Sequence, residues 1–131
     1  MHSNVQKIDI ANRFERTLAY WQKWLEPAER FIVNLPKNLQ TPFRNSLLIV
    51  KAQVDHQGGV LASTDTTMLN YTRDSYAYCW PRDGALSLWP LMRLGYKTEL
   101  LNHFSFCRQG MHPDGFLLHK YQPDGAIGSS W

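Results

Sequence analysis

Between Asp9 and Leu25 the apolar residues Ile10, Phe14, Leu18, Trp21 and Leu25 recur at helical spacing, while Arg13, Arg16, Gln22 and Lys23 fall elsewhere. This pattern predicts an amphipathic helix that ends near Glu26-Pro27. Leu35 to Gln40 combines Pro36 with polar residues and has no periodicity, which predicts a linker. A boundary near Gln40 would divide the chain into segments 1–40 and 41–131. Thr41-Pro42 then reads as a helix start, since a Thr hydroxyl can cap an orphan N–H and Pro is tolerated at the first helical position. Phe43, Leu47, Val50 and Val54 line one face of that helix, and His56-Gln57-Gly58-Gly59 stops it.

From Val60 to Tyr78 the chain is rich in Thr, Ser and Tyr, which predicts an extended segment with loops. Gly84 to Leu94 has only Ser87 and Arg93 as polar residues, and a helix apolar nearly all round belongs inside a protein. It is predicted to be the most buried element, kinked at Pro90 and ended by Gly95. Thr98 to Gln109 predicts a further helix with Leu101, Phe104 and Cys107 inward, closed by Gly110. So short a connection favours antiparallel neighbours. Two Pro-Asp-Gly turns, at 113–115 and 123–125, bracket Phe116 to Tyr121, which suits a short strand. No solenoid repeat is visible, and a large apolar residue at the very end, Trp131, reads as a cut.

Composition narrows the function classes. Of 131 residues, 44% are hydrophobic and 19% charged, as in globular proteins, and 13% are aromatic with five Trp. The net charge of +3 is spread along the chain without a basic run, which argues against a nucleic-acid partner and leaves a neutral ligand as the easier fit. Only Cys79 and Cys107 are present, too few for a disulfide framework, and no Cys-x-x-Cys pair or ligand-spaced His pair suggests a metal or other cofactor. Nothing resembles a membrane span or a leader peptide, so the expectation is a soluble, cytoplasmic protein.

Asn70 to Asp83 packs aromatics and charges into a loop before the apolar helix. Sugars present flat C–H patches and rings of hydroxyls. A site for them wants Trp or Tyr faces for the patches, and Arg and Asp for the donor and acceptor sides of the hydroxyls. The bland alternative is that Asp83 is only an N-cap and that Tyr78 and Trp80 are only core.

The string Tyr76-Ala77-Tyr78-Cys79-Trp80-Pro81-Arg82-Asp83-Gly84-Ala85-Leu86 resembles the glucoamylases, glycoside hydrolase family 15, in particular their bacterial and archaeal branch. The resemblance runs from about Phe43 to Trp131, through Ser46-Leu47-Leu48, Arg93-Leu94-Gly95-Tyr96, Phe106-Cys107-Arg108 and Gly128-Ser129-Ser130-Trp131. It implies an all-α fold, part of an (α/α)6 toroid with a preceding helical linker and a short β-hairpin excursion. The loop would line the subsite for the non-reducing terminal glucose of an α-glucan or malto-oligosaccharide. Carried over by position, Arg82 and Asp83 would bind glucose hydroxyls, Tyr76 and Trp80 would wall the pocket, and Trp131 would reach the sugar from another loop. Residues 1–40, with Trp21-x-x-Trp24-Leu25, resemble the helix that joins the branch's β-sandwich to the barrel, and that sandwich and the remaining barrel helices are the implied packing partners.

The family inverts: one glutamic acid protonates the glycosidic oxygen while an opposite glutamate activates water, about 6.5–9.5 Å apart. Glu15, Glu26 and Glu29 lie before Gln40, and Glu99 opens a helix, where a carboxylate favours the macrodipole. None matches a catalytic glutamate of the family, whose pair would lie beyond Trp131. The resemblance therefore implies a piece of an exo-acting α-glucosidase that binds sugar without cleaving it. Trehalase-like and glucodextranase-like relatives share the loop, and a non-catalytic carbohydrate-binding or regulatory module is the reading from a different class.

Overall fold

A computed structural model of the chain describes residues 9–64 and 76–128. Four α-helices account for most of them: α1 (Ile10–Ile32), α2 (Lys37–Ala52), α3 (Pro81–Arg93) and α4 (Lys97–Gln109). Among the described residues, extended chain forms only isolated bridges, and no helix is long and apolar enough to cross a membrane.

The first helix does not stop at Pro27. Asp9 caps it, its carboxylate accepting from the Asn12 N–H at 3.1 Å, and it runs on to Ile32. A proline inside a helix removes one backbone bond. Continuation is favoured because Ala28 and Ile32, just past it, are fully buried in the core. The same helix shows that periodicity and burial are different things, since Ile10 and Phe14 on the expected inward stripe are 78% and 69% exposed. Only from Trp24 onward does the helix meet the core, with Trp24 and Leu25 packed against it.

The expected linker is largely helix. Pro36, not Thr41-Pro42, marks the start of α2: the Leu39 N–H bonds the Pro36 carbonyl at 2.8 Å, and Gln40 lies within the helix. Lys37 to Gln40 contains no Gly or Pro to break a helix once Pro36 has separated it from α1. α1 and α2 are clamped by a forked pair in which Arg44 Nε and Nη2 donate to the two Glu29 oxygens at 2.6 and 2.7 Å. That contact holds the Glu29 carboxyl below its ordinary value. The helix ends at Ala52, so Val54 lies past it, but it still packs on the core and bridges Val60.

The main core gathers Ala28, Ile32, Leu47, Val60, Leu88, Leu91 and Tyr96, drawn from α1, α2, α3 and the chain around them. Here α3 corrects an expectation: Gly84, Leu88 and Leu91 are buried, but Leu86 and Trp89 are 68% and 58% exposed. The helix is therefore buried along one stripe, and its apolar far side is bare.

The inward face of α4 differs from the expectation as well. Glu99, His103 and Phe106 are buried, whereas Leu101 and Phe104 are exposed and Cys107 is half-buried. The polar residues go inward because each meets a partner from far along the chain. Glu99 Oε1 accepts from Trp24 Nε1 at 2.7 Å and lies 3.1 Å from Lys51 Nζ. His103 Nδ1 lies 3.0 Å from the Gly58 carbonyl. Satisfied in this way, they avoid the cost of burying a bare polar group. Gly58 allows the approach: it has φ +92°, and a Cβ there would sit 2.3 Å from the Asn102 carbonyl group.

The Phe116–Tyr121 strand does not form. Both Pro-Asp-Gly turns do, with Gly115 and Gly125 at positive φ and hydrogen-bonded back to His112 and Gln122. Of the segment between them only Tyr121 pairs, and it belongs to a thin antiparallel ladder of single bridges: Leu61 to Cys79, Cys79 to Tyr121, and Tyr121 to Ile127. The extended segment after Val60 appears at its two described ends, where Ala62 and Ser63 donate to the Tyr78 and Tyr76 carbonyls.

Candidate sugar-binding site

The helix start at Pro81 places the charged pair. Pro at the first helical position needs no N–H partner and has a φ suited to the helix. Trp80 is the N-cap, and its carbonyl accepts from the Gly84 N–H at 2.8 Å. Asp83 is therefore third in the helix and not its cap, and no side chain makes a capping bond. Arg82 and Asp83 project from the first turn toward solvent, with Arg82 Nε 3.2 Å from Asp83 Oδ1 and side-chain exposures of 80% and 51%. So exposed an ion pair contributes about 0–1 kcal/mol. Its donors and acceptor remain available to a ligand.

Trp80 stands beside them in an aromatic group, its ring 6.2 Å from that of Tyr76 and 6.0 Å, edge-on, from that of Tyr78. Tyr78 in turn carries the ammonium of buried Lys120 over its face, 4.4 Å from the centroid. The indole N–H of Trp80 is directed at His119 Nε2, 3.3 Å away.

These groups border a cavity of about 540 Å³. Trp80, Arg82 and Asp83 line one side, Phe104, Cys107 and Arg108 of α4 another, and Leu117, Leu118 and His119 the third. The volume falls within the roughly 300–1,000 Å³ of small-molecule sites, and the mix of apolar surface with a few convergent polar groups is the usual one. Tyr76 is outside the lining, behind Trp80 and 65% exposed. Trp131 and residues 70–75 of the loop lie outside the described residues.

Beneath the cavity the packing is directional. His103 is buried against Gly84, where a Cβ would come within 2.6 Å of the imidazole. The glycine after Arg82-Asp83 thus makes room for a ring from α4. Because a carbonyl can only accept, His103 Nδ1 carries a proton toward Gly58, and Nε2 faces the Cys107 sulfur at 3.6 Å. Burial pushes the Cys107 thiol up and the deeper Cys79 thiol up to about 12, so neither is a thiolate nucleophile near neutrality. Tyr121 ties the floor together: its hydroxyl donates to the Gly110 carbonyl at 2.8 Å and accepts from the Leu118 N–H at 2.7 Å.

Among the described residues no glutamate lines the cavity. Glu29 is paired with Arg44, and Glu99 is held by Trp24 and Lys51. Three or more His, Cys, Asp or Glu side chains that could hold a metal are not grouped anywhere among them. Sequence reading identified the Trp80, Arg82 and Asp83 side of the cavity but missed Arg108, Phe104 and Leu117. Those residues belong to elements whose docking no local pattern encodes. Comparison with known proteins returned no matching family model, no matching curated protein and no matching solved structure.

Proposed function

We propose that this chain supplies the terminal-glucose-binding wall of an inverting, exo-acting α-glucosidase of the glucoamylase type. Its four helices would then be part of an (α/α)6 toroid. The observation that carries the reading is the convergence of an indole, a guanidinium and a carboxylate, Trp80, Arg82 and Asp83, on one cavity of about 540 Å³. The indole face suits a pyranose C–H patch, and the exposed Arg82–Asp83 pair can donate to and accept from adjacent hydroxyls. The resemblance of the Trp80-Pro81-Arg82-Asp83 string to that family supports the same assignment.

The chain binds but does not cleave in this reading. Inversion needs an acid and a base on opposite faces of the sugar, and the described glutamates are occupied elsewhere or remote from the cavity. Both groups would come from the rest of a longer protein. The bare apolar faces of α1 and α3, at Ile10, Phe14, Leu86 and Trp89, are where further helices or the β-sandwich would pack.

Calorimetric titration with maltose tests the assignment. Measurable binding without glucose release is expected, and Asp83→Asn should weaken it about tenfold, since a hydrogen bond to a charged group contributes about 1.5–3 kcal/mol. Equal affinity of wild type and variant, or hydrolysis by the pure chain, would sink the reading.

A further inference from the structure

We infer that His119 is a positioning residue for the Trp80 indole: as a neutral hydrogen-bond acceptor from the adjoining wall of the cavity, it fixes the aromatic plate of the sugar site. The inference rests on the sugar-binding reading above and adds a residue to it.

The chemistry of the two partners fixes the direction of the bond. An indole N–H donates and never accepts, so the nitrogen facing it must present a lone pair. The 3.3 Å contact is made by His119 Nε2, which places the imidazole proton on Nδ1. The aromatic neighbours of Trp80 cannot set its rotation in the same way. Tyr76 and Tyr78 meet it as a tilted and an edge-on ring, 6.2 and 6.0 Å away, and such non-directional contacts fix no single rotation of the ring in its plane. The hydrogen bond removes that freedom. It also joins two parts of the cavity lining that are far apart in the chain, because Trp80 precedes α3 whereas His119 lies between the two Pro-Asp-Gly turns.

The segment that carries His119 is itself held in place. On either side of it, Leu118 donates its N–H to the Tyr121 hydroxyl and Lys120 lies buried with its ammonium over Tyr78. His119 is left exposed and lines the cavity. A side chain kept out of the core while both neighbours go inward, and aimed at an indole that lines the cavity, acts on the ligand surface and not on the fold.

Two measurements on the full chain test this. The first is nuclear magnetic resonance of 15N-labelled protein, with the Trp80 indole signal identified by its loss in Trp80→Phe. A scalar coupling from Trp80 Nε1 to His119 Nε2, or a protected indole proton that His119→Phe abolishes, is expected. An indole signal unchanged by His119→Phe would overturn the inference whether or not sugar binds. The second is the maltose affinity. His119→Phe should weaken it about two- to tenfold, the range for loss of one hydrogen bond, and His119→Gln, which keeps an acceptor, should restore most of it. Equal affinity of the Phe variant and wild type, or a Gln variant as weak as Phe, would also overturn the positioning role. If wild type binds no maltose, the sugar reading fails by itself, while the indole spectrum still decides the His119 contact.

Discussion

The two clusters of buried side chains hold the molecule by different means. The larger, around Ile32, Leu47, Leu88 and Leu91, is mainly aliphatic packing between helices, with its directional chemistry at the edge, where Tyr96 stacks on Trp24 at 4.4 Å and Trp24 donates to Glu99. The smaller, Cys79, Phe106 and Tyr121, lies under the cavity and is threaded with hydrogen bonds and rings seated on glycine. Apolar packing is tolerant of shape and sets how stable the chain is. Hydrogen bonds of fixed geometry set where the cavity walls stand. Most of the stability of this fold and the geometry of its site therefore draw on different residues.

The largest expected effect that could break this contrast is in the aliphatic cluster. Leu88→Ala removes a fully buried side chain and should lower unfolding free energy by about 2–5 kcal/mol in urea denaturation. Maltose affinity of the folded fraction should stay near wild type, and a large loss of affinity would show that the two regions are not separable. Tyr121→Phe is the converse. It should cost about 1–3 kcal/mol by leaving the Leu118 N–H and Gly110 carbonyl unpaired, and should weaken maltose binding although it touches no ligand group. Unchanged affinity in that variant would mean that the floor does not set the walls.

The smallest effect concerns pH and sharpens the picture of the core. Burial pushes the Glu99 carboxyl up, but bonds from Trp24, its own backbone N–H and the Lys51 ammonium outweigh this and hold it below the ordinary 4.5. A lowered native value means a contribution fully present above pH 4.5 and lost as pH falls through the native value. Glu99→Gln should therefore lose about 1 kcal/mol at pH 7 and show a shallower decline in acid than wild type. Glu29, lowered as well by its bonds from Arg44, declines in both proteins and cancels in the comparison. Parallel acid limbs in the two proteins would contradict the role given to Glu99.

What was legible in the sequence follows from the range of the forces involved. The Pro-Asp-Gly turns could be read because positive φ at glycine is a local requirement, and the Trp80 to Asp83 side of the site because its residues are contiguous. The helices were visible as periods, but their buried faces were not. Burial of Glu99 and His103 depends on Trp24, Lys51 and Gly58, between 45 and 75 residues away for the bonded pairs from Gly58 and Trp24, and hydropathy scores such residues as solvent-facing. Pro27 and Pro42 misled in the same direction, because core packing of Ala28, Ile32 and Leu47 outweighs a missing backbone bond. The strand at 116–121 failed because an apolar run has no sheet to join, and only Tyr121 finds a bridging partner.

The Gly58 turn has a consequence for anyone wishing to rebuild this surface. Its α-carbon rests on the α4 backbone, while His56 and Gln57 immediately before it face outward. Asp55 already organises the tip, its carboxylate accepting from the backbone of Gln57 and Gly59. Larger side chains at His56 or Gln57 would grow into open solvent, whereas even one methyl group at Gly58 would have to lever a whole helix away from its seat.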